Sequence, residues 1–153
     1  MARVPRFLTH YVPLIFWLAF ISYASTDSFS ASNTSRIIGP LILWLFPHTT
    51  QETLATIQFF TRKLAHFTEY AILGFLAARA FRGSPRAAVR TRWFLICATI
   101  VVVYALIDEY HQSFVPSRTA SIFDSLIDMS GGLTALLIVR KRTSDSTYER
   151  GSV

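Results

Sequence analysis

Residues 62–81 read Arg62-Lys63-Leu64-Ala65-His66-Phe67-Thr68-Glu69-Tyr70-Ala71-Ile72-Leu73-Gly74-Phe75-Leu76-Ala77-Ala78-Arg79-Ala80-Phe81. The run is apolar enough to sit in lipid, yet its first half carries two cations, an imidazole and a carboxylate. Ionisable groups at the lip of an apolar helix are costly and turn toward a shared polar interior. Two further stretches repeat the combination. Asp108-Glu109-x-His111-Gln112, with Arg118 close behind, ends an apolar run that begins at Trp93. Asp124-x-x-x-Asp128 lies at the start of another that continues to Val139. Three polar groups at three helix ends predict one composite site.

Composition supports a membrane setting. The chain has 153 residues, enough for one compact domain and no separate soluble module. It is 52% hydrophobic and 14% aromatic, and only 16% of residues are charged, against roughly a quarter in soluble domains. The net charge of +6 does not point to nucleic acid, because the basic residues flank apolar runs instead of forming a patch with interleaved aromatics. The single cysteine, Cys97, excludes an intrachain disulfide and a cysteine-rich metal site, and reads as packing.

Four apolar stretches, 7–24, 64–81, 93–107 and 122–139, predict an all-α, four-helix transmembrane bundle. The third is short unless Asp108 to Gln112 continue its helix in a shielded or watery environment. Residues 1–24 also fit a secretory signal, with Arg3 and Arg6 ahead of the apolar run and Ser22-Tyr23-Ala24 as a small-residue cleavage site. The run is long for a signal, and its loss would deprive the other spans of a packing partner.

Of the fifteen basic residues, all but Arg36, Arg62, Lys63 and Arg118 fall on the side of the N-terminus. That bias predicts a multi-pass protein of the cell membrane with both termini cytoplasmic and the three polar groups at outer helix ends. Between spans one and two, residues 25–35 are rich in hydroxyls and read as loop. Residues 37–46 are too short to span and contain Gly39-Pro40, so an interfacial or re-entrant segment is expected there. Thr49-Thr50-Gln51-Glu52 fits a capping box and predicts a helix start near Thr50. Residues 1–142 read as a single membrane domain, and 143–153 as a polar cytoplasmic tail.

Helical spacing groups the candidates. Arg62, His66, Glu69 and Tyr70 form a stripe that continues as Leu73-Gly74 and Ala77-Ala78. Asp124 and Asp128 form a second, continuing as Gly131-Gly132 and Ala135. Small residues beneath a polar rim predict that these two faces pack together. Tyr104, Asp108, His111 and Gln112 make a third stripe, with Glu109 rotated by ~100° from Asp108. Five carboxylates then face three fixed cations, and so many charges need Arg62, Lys63, Arg118 or a bound cation to compensate them.

Structural readings compete with functional ones. Arg62 and Lys63 can snorkel to headgroups, His66 and Glu69 can bond within one turn, and Asp124 can serve the start of its helix. Against a wholly structural network stands the weak stabilisation that buried ion pairs give. His66, Glu69, Glu109, His111 and Asp128 have donor types suited to a divalent ion, but neither HExxH nor a paired ExxH occurs, nor a GxSxG nucleophile elbow. No metal site, cofactor or catalytic residue is therefore assigned.

The ordered set Arg62-Lys63-x-x-His66-Phe67-x-Glu69-Tyr70-x-x-Leu73-Gly74, Asp108-Glu109-x-His111-Gln112-x-Phe114-Val115-Pro116-x-Arg118, and Asp124-x-x-x-Asp128 followed by Gly131 resembles the VanZ-like family of small bacterial membrane proteins. Ser117 departs from the pattern, standing where many members have glycine. The resemblance implies a site at these residues and a role like that of the family's namesake, which is associated with resistance to the glycopeptide teicoplanin. The residues themselves suggest a pocket for a cell-envelope or lipid-linked ligand. Arg62, Lys63 and Arg118 would hold phosphate or carboxylate groups. Asp108, Glu109 and Asp128 would meet ammonium groups or a cation, with His66, Glu69, Tyr70, Gln112 and Asp124 around them. A membrane-embedded, metal-assisted hydrolase or transferase at the outer leaflet is the alternative.

Overall fold

Thr50 starts the longest helix among the described residues. Its backbone is extended (φ −70°, ψ 157°), and its side-chain oxygen accepts the Thr53 N–H at 3.2 Å, which satisfies one of the unpaired donors of a first helical turn. The cap thus falls one residue later than the expected Thr49–Glu52 box, and Glu52 lies in the first turn where the helix dipole favours it. Thr50→Ala should cost about 1 kcal/mol, read as faster amide exchange at residues 51–54 with the rest of the helix unchanged.

The computed structural model describes residues 6–26, 31–115 and 121–151. Six helices follow in order: α1 (Arg6–Ala24), α2 (Ala31–Leu45), α3 (Gln51–Arg82), α4 (Ala87–Thr91), α5 (Trp93–Gln112) and α6 (Ile122–Gly151). Among the described residues there is no strand. The fold is all-α, as composition and periodicity predict.

Two boundaries differ from expectation. The segment read as loop to residue 35 becomes helical at Ala31, and Gly39-Pro40 lies inside α2 instead of breaking it. Proline disfavours a helical predecessor partly through that residue's Cβ, and Gly39 has none. Likewise α6 runs on to Gly151, beyond the apolar stretch, since no glycine or proline interrupts it earlier on that side. By contrast, α5 does continue through Asp108 to Gln112.

At the centre stands α3. Its most extensive interface is with α6, followed by those with α5 and α1, and α2 leans on its first half. Small residues make this possible. A Cβ added to Gly74 would lie 2.5 Å from the Gly132 carbonyl oxygen, and one added to Gly131 would overlap the Phe67 carbonyl. Backbone meets backbone there, as the two predicted small-residue faces require. The core beneath comprises Leu14, Ile21, Leu73, Ala77, Val101 and Leu136 with Cys97 among them.

Two segments, Trp93–Gln112 and Ile122–Thr143, are long and apolar enough to cross a bilayer. Only 22% of the first and 33% of the second are buried, unlike a soluble protein's core helix. Phe16, Leu95, Phe123 and Leu137 point outward with more than half their surface exposed. Such faces suit a membrane protein. The helix α3 is long enough, about 48 Å at 1.5 Å per residue, but Arg62, Lys63, His66, Glu69 and Arg79 reduce its apolarity. Within α1, Leu8–Ala24 is a shorter apolar stretch.

Candidate functional site

The close approach of α3 and α6 determines which polar side chains meet. One turn above the Phe67–Gly131 contact, His66 Nδ1 lies 3.2 Å from Asp128 Oδ1, with side chains 9% and 2% exposed. A further turn out, Lys63 Nζ pairs with Asp124 Oδ1. Asp124 and Asp128 share a face of α6 because they are four residues apart, and Lys63 and His66 share one of α3 because they are three apart.

From the end of α5 come Asp108 and Glu109, which diverge as their ~100° separation requires. Asp108 is buried. Its Oδ2 accepts from Gln112 Nε2 at 3.0 Å, and its Oδ1 is hydrogen-bonded to Ser25 Oγ at the end of α1. Glu109 turns the other way, and its Oε1 accepts the Ser121 N–H at the start of α6. Ser125 Oγ donates to the Ala105 carbonyl at 3.4 Å and joins α6 to α5.

Between these groups lies Tyr70, fully buried. Asp108, Asp128, Tyr104 and Glu69 act electrostatically on it, while Asp124, Asp128 and Asp108 act on Glu109. Polar groups from three helices therefore converge. Within that region the Tyr70 hydroxyl and Glu109 Oε2 are buried without a hydrogen-bond partner among the described residues. The Ser25, Gln112 and Ser121 groups bonded to Asp108 and Glu109 are neutral, whereas Asp124 and Asp128 face Lys63 and His66.

Of the residues singled out in the sequence, Lys63, His66, Tyr70, Asp108, Glu109, Gln112, Asp124 and Asp128 are brought together. Arg62 is half-buried and has no ion-pair partner among the described residues. The inward stripe on α3 runs through Lys63, His66 and Tyr70, a rotation of one residue from the Arg62-based stripe. Spacing alone permits both; the position of Gly131 selects one. His111 is exposed and lines a groove with Tyr110 and Phe114. Glu69 stands at the edge, beside Trp17 and Thr68 on an open groove. Arg118 lies outside the described residues.

Four contributors are absent from the sequence reading. Ser25, Ser121 and Ser125 make the bonds given above, and Trp17 Nε1 donates to the Glu69 carbonyl at 2.9 Å. A serine directly after an apolar run, as at Ser25, was the available signal. Among the described residues no three of His, Cys, Asp and Glu are grouped to hold a metal ion. What the arrangement offers chemically is an acid-rich interior with hydrogen-bond acceptors, the unpartnered Tyr70 hydroxyl, and a His66–Asp128 pair able to exchange a proton.

No curated protein and no solved structure is found to match the chain. The family model described as VanZ/LLP1 matches residues 10–143. That range contains every side chain of the polar cluster and nearly the whole described bundle, and the protein belongs to the VanZ/LLP1 family.

Proposed function

We propose that the polar cluster is a pocket for a cell-envelope or lipid-linked ligand, reached from the outer half of the membrane. In this reading α1, α3, α5 and α6 are four transmembrane helices of one unit spanning 1–142. The segment α2 lies in the outer interface, with Trp44 exposed at headgroup level. Both termini and the 143–153 tail are then cytoplasmic, in line with the basic residues near 79–92 and 140–142.

One observation carries the proposal: the unpartnered Tyr70 hydroxyl and Glu109 Oε2 in an acid-rich interior. An unsatisfied buried polar group costs about 1–3 kcal/mol, and a ligand bearing ammonium or hydroxyl donors would satisfy both. Lys63 is engaged by Asp124, so phosphate recognition falls first to Arg62, with Arg118 its expected companion. Lipid-linked cell-wall precursors combine these groups, and teicoplanin is the narrower candidate implied by family resemblance.

Tyr70→Phe separates this reading from a structural one. Removing an unpaired hydroxyl should leave thermal stability unchanged or higher by about 1 kcal/mol. Binding of a lipid-linked cell-wall precursor, or of teicoplanin, titrated onto the detergent-solubilised protein should fall at least tenfold. Undiminished binding by the variant, or no binding of either probe by the wild type, would defeat the proposal.

The buried His66–Asp128 pair at 3.2 Å favours one alternative, an acid–base hydrolase or transferase acting on the same ligand. Product formed by wild type and abolished by His66→Gln would favour that reading over simple binding.

A further inference from the structure

At the opposite end of the α3–α6 interface, Arg79 and Arg82 of α3 and Arg142 of α6 line an open groove with Phe75 and Val139. Its volume is about 370 Å³, within the range of small-molecule sites. We infer that this groove binds the phosphate headgroup of an anionic phospholipid from the cytoplasmic leaflet, with the upper part of an acyl chain on Phe75 and Val139. The inference is independent of the ligand proposed for the outer cluster. It presupposes only that the bundle lies in a bilayer with this end inward.

Three features distinguish the groove from a general excess of arginine. First, its lining contains three guanidinium groups and no carboxylate. Guanidinium groups bind phosphate oxygens in a bidentate manner, which suits a phosphodiester. Second, the helix dipole accounts for Arg79 and Arg82, which lie in the last turn of α3, but not for Arg142. That residue sits inside α6, well before Gly151, and reaches the groove only because the two helices pack closely. Third, Phe75 is 53% exposed directly beside the arginines. Apolar surface next to clustered positive charge matches a molecule that joins phosphate to hydrocarbon. Arg82 also lies over the Trp93 ring, 5.6 Å from its centroid, a cation–π contact that holds the guanidinium at the groove.

Native mass spectrometry tests the inference on the full chain in micelles containing equal amounts of phosphatidylglycerol and phosphatidylcholine. The wild type should retain phosphatidylglycerol about tenfold over phosphatidylcholine, the scale expected for basic groups at an anionic headgroup. Arg79→Gln with Arg142→Gln should bring the ratio near one. Arg86→Gln with Arg92→Gln removes equal charge from outside the groove and should leave the preference intact. Each groove substitution alone should lose part of the preference, which decides the matter if the double variant does not fold. Inorganic phosphate at millimolar concentration should not displace the lipid. Equal retention of both lipids by the wild type, an equal fall in both double variants, or displacement by free phosphate would overturn the assignment.

Discussion

Gly131→Ala is expected to be the most damaging single-methyl change in the protein. The added carbon would overlap the Phe67 carbonyl oxygen and lie 2.9 Å from the carbonyl carbon and 3.1 Å from Cα of that residue. All three are backbone atoms in the middle of α3, so no side chain can rotate away, and the helices must separate. In lipid, where apolar burial does not drive helices together, close backbone approach is itself the main attraction. Overpacking typically costs 1–3 kcal/mol; against fixed backbone, about 3 kcal/mol or more is the expected loss. The consequence extends to the outer cluster, because His66–Asp128 and Lys63–Asp124 both bridge the same two helices. Thermal unfolding in detergent should show a large drop for Gly131→Ala and little change for Thr134→Ala, which lies on the exposed side of α6. Equal melting of the two variants would mean that α3 and α6 are not apposed at this point.

Lys63→Ala should come next in severity. The Asp124 side chain is 6% exposed and that of Lys63 16%, so truncation leaves a carboxylate buried without its cation. Breaking a buried pair in this way costs about 3–5 kcal/mol, whereas replacing both members with apolar residues of similar volume is often close to neutral. Lys63→Met combined with Asp124→Leu should therefore recover most of the stability lost in Lys63→Ala. A surface pair would behave differently, with each single change costing less than about 1 kcal/mol. A small effect of Lys63→Ala would accordingly remove this pair from the protein interior.

Much of this architecture was legible in the sequence because it rests on local patterns. Gly74, Ala77, Gly131 and Gly132 announce a close helix pair by size alone. The extension of α5 through Asp108 to Gln112 followed from the shortness of its apolar run. What escaped was rotation. Arg62 and Lys63 are ~100° apart on a helix, and both fit a three- or four-residue stripe with His66. The choice between them depends on where Gly131 touches Phe67, a distant contact that spacing does not encode. The same ambiguity separated His111, which faces out, from Gln112, which faces in. Helix α2 was misread for another reason: its hydroxyl-rich start and Gly39-Pro40 carry loop signals, yet the packing of α2 on α3 outweighs them.

The cluster's wall toward α1 differs in kind from the one toward α6. The Tyr104 hydroxyl donates to the Leu18 carbonyl and accepts from Ser22 Oγ, both at 2.6 Å, and Ser25 reaches Asp108; these bonds tie α1 to α5 without a backbone contact like that of Gly131. Such a wall is a fence of movable posts, whose spacing follows torsions about single bonds. A change of such torsions moves side chains alone, whereas shifting a packed helix is a collective motion that takes microseconds or longer. The spacing of α1 from α5 is thereby set by side chains, and that of α3 from α6 by backbone.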